Sequence, residues 1–427
     1  MSITNNLFVG ISGLRAHNSA IAVVGDNIAN VSTVGFKASR AGFSDVMGGM
    51  IGSTRMGAGV RTASSQTDLQ QGVLQQTGGV LDLAVRGRGF FVVEGNHDGI
   101  PGTFYTRDGR FSLDNEGFVV NNEGLRLQGY AFTPAGVQGT QLDAMQLGQA
   151  QAAPRATTAV DMRLNLDSTA VSPATFQADD PNTTSNFATS TTVFDTLGRA
   201  HRVDLYFRTD GAGTWDWHAL VDGGELNGGT AGQAVEIASG SLTFNTSGAL
   251  DVETLNASSA DFLGAAPGQA VAFDFGDAIT TDLGTGLAGT TQFAGASTVN
   301  ATSQDGFGAG TLVDVQITED GVIDGLFSNG QRRSVARVAL ATFAAEEQLE
   351  RSGGQMFRET ATSGQALIDA AATGARGSIA NGTIEASNVD LTNELVTLIA
   401  FQRAFQANVK TVQTADEMLA EVATLKR

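Results

Sequence analysis

The chain has 427 residues, 54 glycines, six prolines, no cysteine and a formal net charge of −19. That length is more than one ordinary core holds and points to several domains. The acidic balance argues against nucleic acid, whose phosphates demand clustered Lys and Arg, and the lack of cysteine excludes zinc ribbons, thiol nucleophiles and disulfide frameworks.

The charge is uneven along the chain. Residues 156–310 carry 18 acids against four arginines, which reads as a self-repelling, solvated surface. Lys37, Lys410 and Lys426 are the only lysines. No run reaches 18 consecutive apolar residues, so membrane insertion is not expected. The start, MSITNNLFVGISGL, lacks a charged n-region and a cleavage site, so no cleaved signal peptide is expected.

In chain order, the first predicted element is a helix. Leu7, Leu14, Ile21 and Ile28 recur every seven residues, with Ile11, Val24 and Val31 beside them. Asn30, the run Val31-Ser32-Thr33-Val34 and Gly35 should end it. The Gly-rich stretch 42–60, with Met47, Met50 and Met56, reads as a layer link or a plain surface loop. Residues 81–95 and 104–130 read as strands with turns at Asp108-Gly109, Glu116-Gly117 and Glu123-Gly124. The acidic middle is strand-rich too, at 191–209, 214–221, 240–250 and 269–276. Residues 314–343 repeat the earlier style, with turns at Asp320-Gly321, Asp324-Gly325 and Asn329-Gly330. A second hinge is expected at 351–377.

The last predicted element is a helix of ~35 residues, ~50 Å long at its ordinary rise. Its seam is Leu391, Leu398, Phe405, Val412 and Leu419, with Leu395, Val409 and Val422 alongside, and Ser387 or Asp390 as its N-cap. One amphipathic helix does not offset the cost of ordering its own backbone, so it needs partners. An intramolecular bundle is the plain explanation of any heptad row. Here the two rows sit at opposite termini with no third helix between them, which favours completion by other copies.

The expected architecture is α+β and multidomain. Terminal helices pair as a coiled-coil-like inner layer (1–72 with 362–427). Outside it lie nested β-rich domains: a discontinuous middle one (73–155 with 311–361) and an acidic outer insert (156–310).

Specific strings match a family. VVGDNIANVSTVGFKASRAGFSDVM (23–47), with Asn27, Asn30, Gly35, Phe36 and Lys37, resembles the segment after the first helix of flagellar rod and hook proteins. GTIEASNVDLTNELVTLIAFQRAFQANVKTVQTADEML (382–419), with Ser387, Asn388, Val389, Asp390, Gln402 and Arg403, resembles their C-terminal segment. GRGFFVV (87–93), RDGRFSLDNEG (107–117) and GLFSNGQ (325–331) resemble their shared β domain, and TTVFDTLGRAHRVDLYF (191–207) is hook-like. The long insert, with ASRAGFSDVM after GFK, favours the hook branch over the shorter rod branch.

The resemblance implies a structural subunit that self-assembles into a flexible helical tube joining the basal-body rod to the filament and transmitting torque. It implies export through the flagellar export apparatus without a cleaved signal peptide, and an extracellular place in the flagellum. The implied partners are other copies of the chain, the hook cap, the rod, the hook-length control protein and the hook-filament junction proteins. A distal rod or hook-associated subunit, or more remotely a secreted β-rich adhesin, is the alternative.

Catalysis, cofactors and metals are not expected. His17, His97, His201 and His218 are scattered, and Gly87-Arg88-Gly89 lacks the third glycine of a dinucleotide loop. Asn18, Asn27, Asn30, Asn388 and Asn408 could bond across the inner layer, but for Asn30 and Asn388 helix capping is the simpler role. Trp215 and Trp217 fall on one strand face, where core packing is favoured over stacking on a sugar.

Overall fold

A computed structural model describes residues 3–51 and 54–425. They divide into two compact units: Met1–Ala150, Leu312–Leu326 and Arg332–Arg427 form the first, and Gln151–Thr311 with Phe327–Gln331 the second.

In the first unit, helix α1 spans Ile3–Ala29 and helix α2 spans Leu391–Leu425. Asn30 closes α1, its Nδ2 donating back to the Asp26 carbonyl at 2.9 Å. Asp390 opens α2, its Oδ1 accepting the N–H groups of Thr392 at 2.9 Å and Asn393 at 3.2 Å. Ser387 is no cap; its Oγ accepts the Val389 N–H at 3.3 Å in a local turn. The helices run antiparallel, with Gly10 against Val412 and Gly13 against Asn408.

The stretch expected to be a link or a loop is instead a long antiparallel hairpin, Ser39–Ile51 with Thr54–Thr67. It runs along α1: Ser39 meets Asn27, Phe43 meets His17, and the Val60 N–H donates to Ser12 Oγ at 3.1 Å. One of its glycines serves close approach to α1. Gly59 has φ +110°, and a Cβ there would lie 2.1 Å from Ser12 Oγ. The two helices therefore have a third partner in this chain, which a search for helical periodicity alone could not find.

Strands from both sides of the insert build one sheet beside the helices. Arg332–Thr342 pairs with Arg126–Ala131 through Val338 and Gly129, and with Phe90–His97 through Leu340 and Phe91. Leu83, Phe91, Val93, Phe104, Leu127, Val338 and Leu340 form its core. Turns close at Gly117, Gly124, Gly321 and Gly330, all with positive φ. Two expected turns are absent. Asp324-Gly325 lies inside the strand Val322–Phe327, and Gly109 allows a close crossing, since a Cβ there would sit 1.5 Å from the Leu83 carbonyl oxygen. The supposed second hinge also belongs to this sheet, through Phe357 opposite Tyr105 and Ile368 opposite Ala341.

The second unit packs a five-stranded meander, Phe187–Phe194 through Leu250–Ser258, with a three-stranded sheet of Ala159–Asn165, Ala272–Asp274 and Thr298–Gln304. Trp215, Trp217, Phe207, Phe262 and Phe275 fill its core at 0 % exposure, so neither tryptophan offers a face to a ligand.

Candidate assembly site at the paired terminal helices

The buried stripe of α1 is Gly10, Gly13, Ala16, Ala20, Val24 and Asn27, a row of small or compact residues at helical spacing. Small residues there let α2 approach closely: a Cβ on Gly13 would lie 2.5 Å from Asn408 Oδ1, and one on Gly10 would lie 2.7 Å from Val412 Cγ2. The row expected as the seam, Leu7, Leu14, Ile21 and Ile28, is half-buried and flanks this stripe.

On α2, Leu398, Phe405, Val412 and Leu419 are half-buried, and Ala415 is the one fully buried position among the described residues. Leu391 is 44 % exposed, Val396 63 % and Ile399 50 %. The rings of His17, Phe43 and Phe401 gather where α1, α2 and the hairpin meet, at centroid distances of 5.5 to 6.0 Å. His17 is thus a packed histidine.

By length and composition alone, Leu7–Ala29 would suffice to cross a membrane, with mean hydropathy 1.3. Arg15 and Asp26 interrupt the apolar run, so counting consecutive residues passed over it.

Most of the motif residues meet at the base of the helices, in one buried junction. The Asn27 side chain pairs with the backbone of Ser39, accepting its N–H at 2.9 Å and donating to its carbonyl at 2.8 Å. The same Nδ2 reaches Glu394 of α2 at 3.1 Å, so one amide ties both helices and the hairpin together. Asn388 is a bridge and not a cap: its Oδ1 accepts the Ala38 N–H at 2.7 Å, and its Nδ2 donates to the carbonyls of Asp68 and Gln70.

Below them Lys37 and Glu385 form an ion pair at 2.6 Å, with side-chain exposures of 1 % and 0 %. Lys37 Nζ also donates to the Gln70 carbonyl at 2.8 Å. Glu385 accepts the Gly72 N–H at 2.7 Å and Arg107 Nη1 at 3.4 Å. Burial pushes the Lys37 ammonium below its ordinary pKa, and the Glu385 charge opposes that. Burial does the same to Arg107, again opposed by Glu385.

Gly35, at φ +71°, lets the chain pass Asp108; a Cβ would lie 2.6 Å from the Asp108 nitrogen. Phe36 lies under the Arg351 guanidinium at 5.0 Å, and Arg351 Nη2 donates to the Lys37 carbonyl. Val389 is half-buried at the entry to α2, whereas Gln402 and Arg403 lie on its exposed face, away from the junction.

Sequence reading missed Glu385, Arg107, Arg351 and Ser12. One signal was available: Lys37 is the only lysine before Lys410 in a chain that otherwise uses arginine, and a charge set between Phe36 and Ala38 suggests a buried partner.

Four family models match successive segments of the chain. They are the flagella basal body rod protein (residues 7–37), the flagellar hook protein FlgE/F/G D1 domain (84–152), the flagellar basal body protein FlaE D2 domain (165–307) and the flagellar basal body rod FlgEFG protein C-terminal (380–425). The flagellar hook protein FlgE of Escherichia coli K12 is 34 % identical over 420 residues, covering 97 % of this chain and 98 % of that protein. The chain belongs to the flagellar hook protein family. The hook protein of Treponema pallidum is also 34 % identical, over 99 % of both chains, and that of Brucella suis is 30 % identical over the full length of both. The basal body rod models that match the two ends take in most of α1 with Lys37, and the return strand with α2, the segments joined at the junction.

Proposed function

We propose that this hook-family chain is a structural subunit that polymerises into the tube of the flagellar hook through the free faces of α1 and α2. The carrying observation is the unfinished helix pair. α2 has 35 residues, yet Leu391, Leu395, Val396, Ile399 and Met418 are each at least 44 % exposed, and Phe8 on α1 is 66 % exposed. Apolar rows this long are normally covered, and a second copy presents the same unfinished pair. The half-buried seam residues Leu7, Leu14, Ile21, Ile28, Leu398, Phe405, Val412 and Leu419 would then be sealed by neighbours.

In this reading the helices with their hairpin form the innermost layer, the β body the next, and the acidic insert the outside. The role is structural and not catalytic; the four histidines are engaged in packing or pairing, as with His97 against the Ser352 carbonyl at 2.9 Å and His201 stacked on Phe262 at 3.9 Å. The place is the extracellular hook next to the basal body, reached by flagellar export. Beyond copies of itself, the partners are the rod, the hook cap, the length-control protein and the hook-filament junction proteins.

The test is to replace Leu395 and Ile399 together with Asp. The purified variant should keep its circular dichroism and thermal transition, because both side chains are already exposed. It should form no tubes under negative stain in salt that assembles the unaltered protein. Normal curved tubes from that variant would overturn the proposal.

A further inference from the structure

The second unit contains a device that the assembly reading does not use. The five-stranded meander ends at Leu250–Ser258, whose outer edge pairs with no further strand among the described residues. Such an edge is a template for stray pairing unless something covers it. Residues 274–287 do so. The Ile279 N–H donates to the Leu250 carbonyl at 3.1 Å, the Thr280 N–H to the Asp251 carbonyl at 2.8 Å, and Thr280 Oγ1 to Asp251 Oδ1 at 2.7 Å.

Glu253 holds this segment at two points. Its N–H donates to Thr281 Oγ1 at 3.0 Å, and its carboxylate oxygens accept the Phe275 N–H at 3.2 and 3.3 Å. Beyond the clasp the segment carries Leu283, at φ +59° and 90 % exposed, and Leu287, at 57 % exposed. A leucine in the left-handed region stays there only while its surroundings hold it.

The groups around the clasp are nearly all acids. Asp251 lies on the same strand, Asp274 begins the segment, and Asp277 and Asp282 lie further along it; Asp282 Oδ2 accepts the Ala278 N–H at 3.1 Å. Among the described residues the nearby cation is Arg163, which donates to the Ala288 carbonyl, one residue past the segment's end.

We propose that residues 274–287 are a proton-latched strap, fastened over the edge of Leu250–Ser258 when Glu253 is protonated and loosened when Glu253 is ionised. A protonated carboxyl still accepts the Phe275 N–H with one oxygen and no longer repels Asp274 and Asp282. The ionised form keeps that bond but stands half-buried among like charges. Burial, then the charges of Asp274 and Asp282, outweigh the Phe275 bond and raise the Glu253 carboxyl to about 7.

The sign follows. Between the ordinary carboxylate range and about pH 7 the folded unit binds the extra proton, so the latch is strongest on the acid side and weakens as pH rises through neutrality.

The experiment is a carbon-13 titration of the Glu253 carboxyl in the unaltered protein. It is paired with amide exchange at Ile279, Thr280 and Glu253 from about pH 5.5 to 8.5, corrected for intrinsic rates, in that protein and in Glu253→Gln. The expected result is a midpoint near 7 and protection that falls about tenfold across the range in the unaltered protein, but stays level in Glu253→Gln. A midpoint below about 5, or the same fall in both proteins, overturns the proposal. Should Glu253→Gln fail to fold, the titration and exchange of the unaltered protein decide alone: a midpoint without a matching loss of protection also overturns it.

Discussion

Lys37 and Glu385 carry their charges at almost no solvent exposure, in a junction where Arg107 and the Gly72 N–H share the same carboxylate. Removing one member of such a group leaves the others desolvated with too few partners. Lys37→Met keeps the length of the stem and deletes the charge. Arg107 still faces Glu385, so the expected loss is about 3 kcal/mol, at the low end for a broken buried pair. Urea unfolding measures it, and a loss under about 1 kcal/mol would show that the pair contributes as little as one at the surface. The motif residues themselves were legible in the sequence as a string. Their chemistry was not, because Glu385 and Arg107 stand 348 and 70 positions from Lys37 and only the folded chain brings them together. Asn388 shows the same limit: a polar residue just before a helix reads as a cap, yet its amide is taken up by Ala38, Asp68 and Gln70.

The helices show what periodicity can and cannot deliver. Both were legible in type and nearly in length, because heptad rows and their stop signals are local. The face that packs inside the chain was not, since large apolar residues dominate any reading of a stripe, and the contact is made by Gly10, Gly13, Ala16 and Ala20. A paired test separates close approach from helix propensity. Gly25→Ala adds a Cβ that meets nothing within 4 Å and should stabilise by about 0.5–1 kcal/mol through the helix backbone. Gly13→Leu gains similar propensity but forces Asn408 aside, and Asn408 is held by its bond to the Ala404 carbonyl at 2.9 Å. A net loss of about 1–3 kcal/mol is expected there. Thermal melts of the two variants should move in opposite directions; movement in the same direction would sink the close-packing account. The hairpin was missed because glycine-rich sequence reads as loop unless its cross-strand partners are known, and those partners lie on α1 as much as on the opposite strand.

For the whole molecule, the insert is the segment that sequence resolved least. Its strands were visible from their alternation, but not its pairing order or its wrapped edge, which depend on contacts such as Leu250 with Ile279 that no local pattern records. Its core is its own, built on Trp215, Trp217, Phe207 and Phe262, with none of those side chains exposed. A chain lacking residues 156–310, with a short glycine-serine bridge in their place, should therefore still be secreted and still pair its helices, while its tubes change in stiffness or curvature. Export assays and electron microscopy check this, and a deletion variant that never leaves the cell would count against the layered arrangement.

The β body is reached by one pair of neighbouring strands, Leu74–Gln76 going out and Thr383–Glu385 coming back, in antiparallel register. Both are continuous polypeptide, so a pull between helices and body is shared by two covalent crossings side by side and by the bonds of the junction, where Glu385 meets Lys37 and Arg107. With two crossings held in register, the helices cannot swivel freely on the body about a single chain, which suits a coupling that must pass rotation onward.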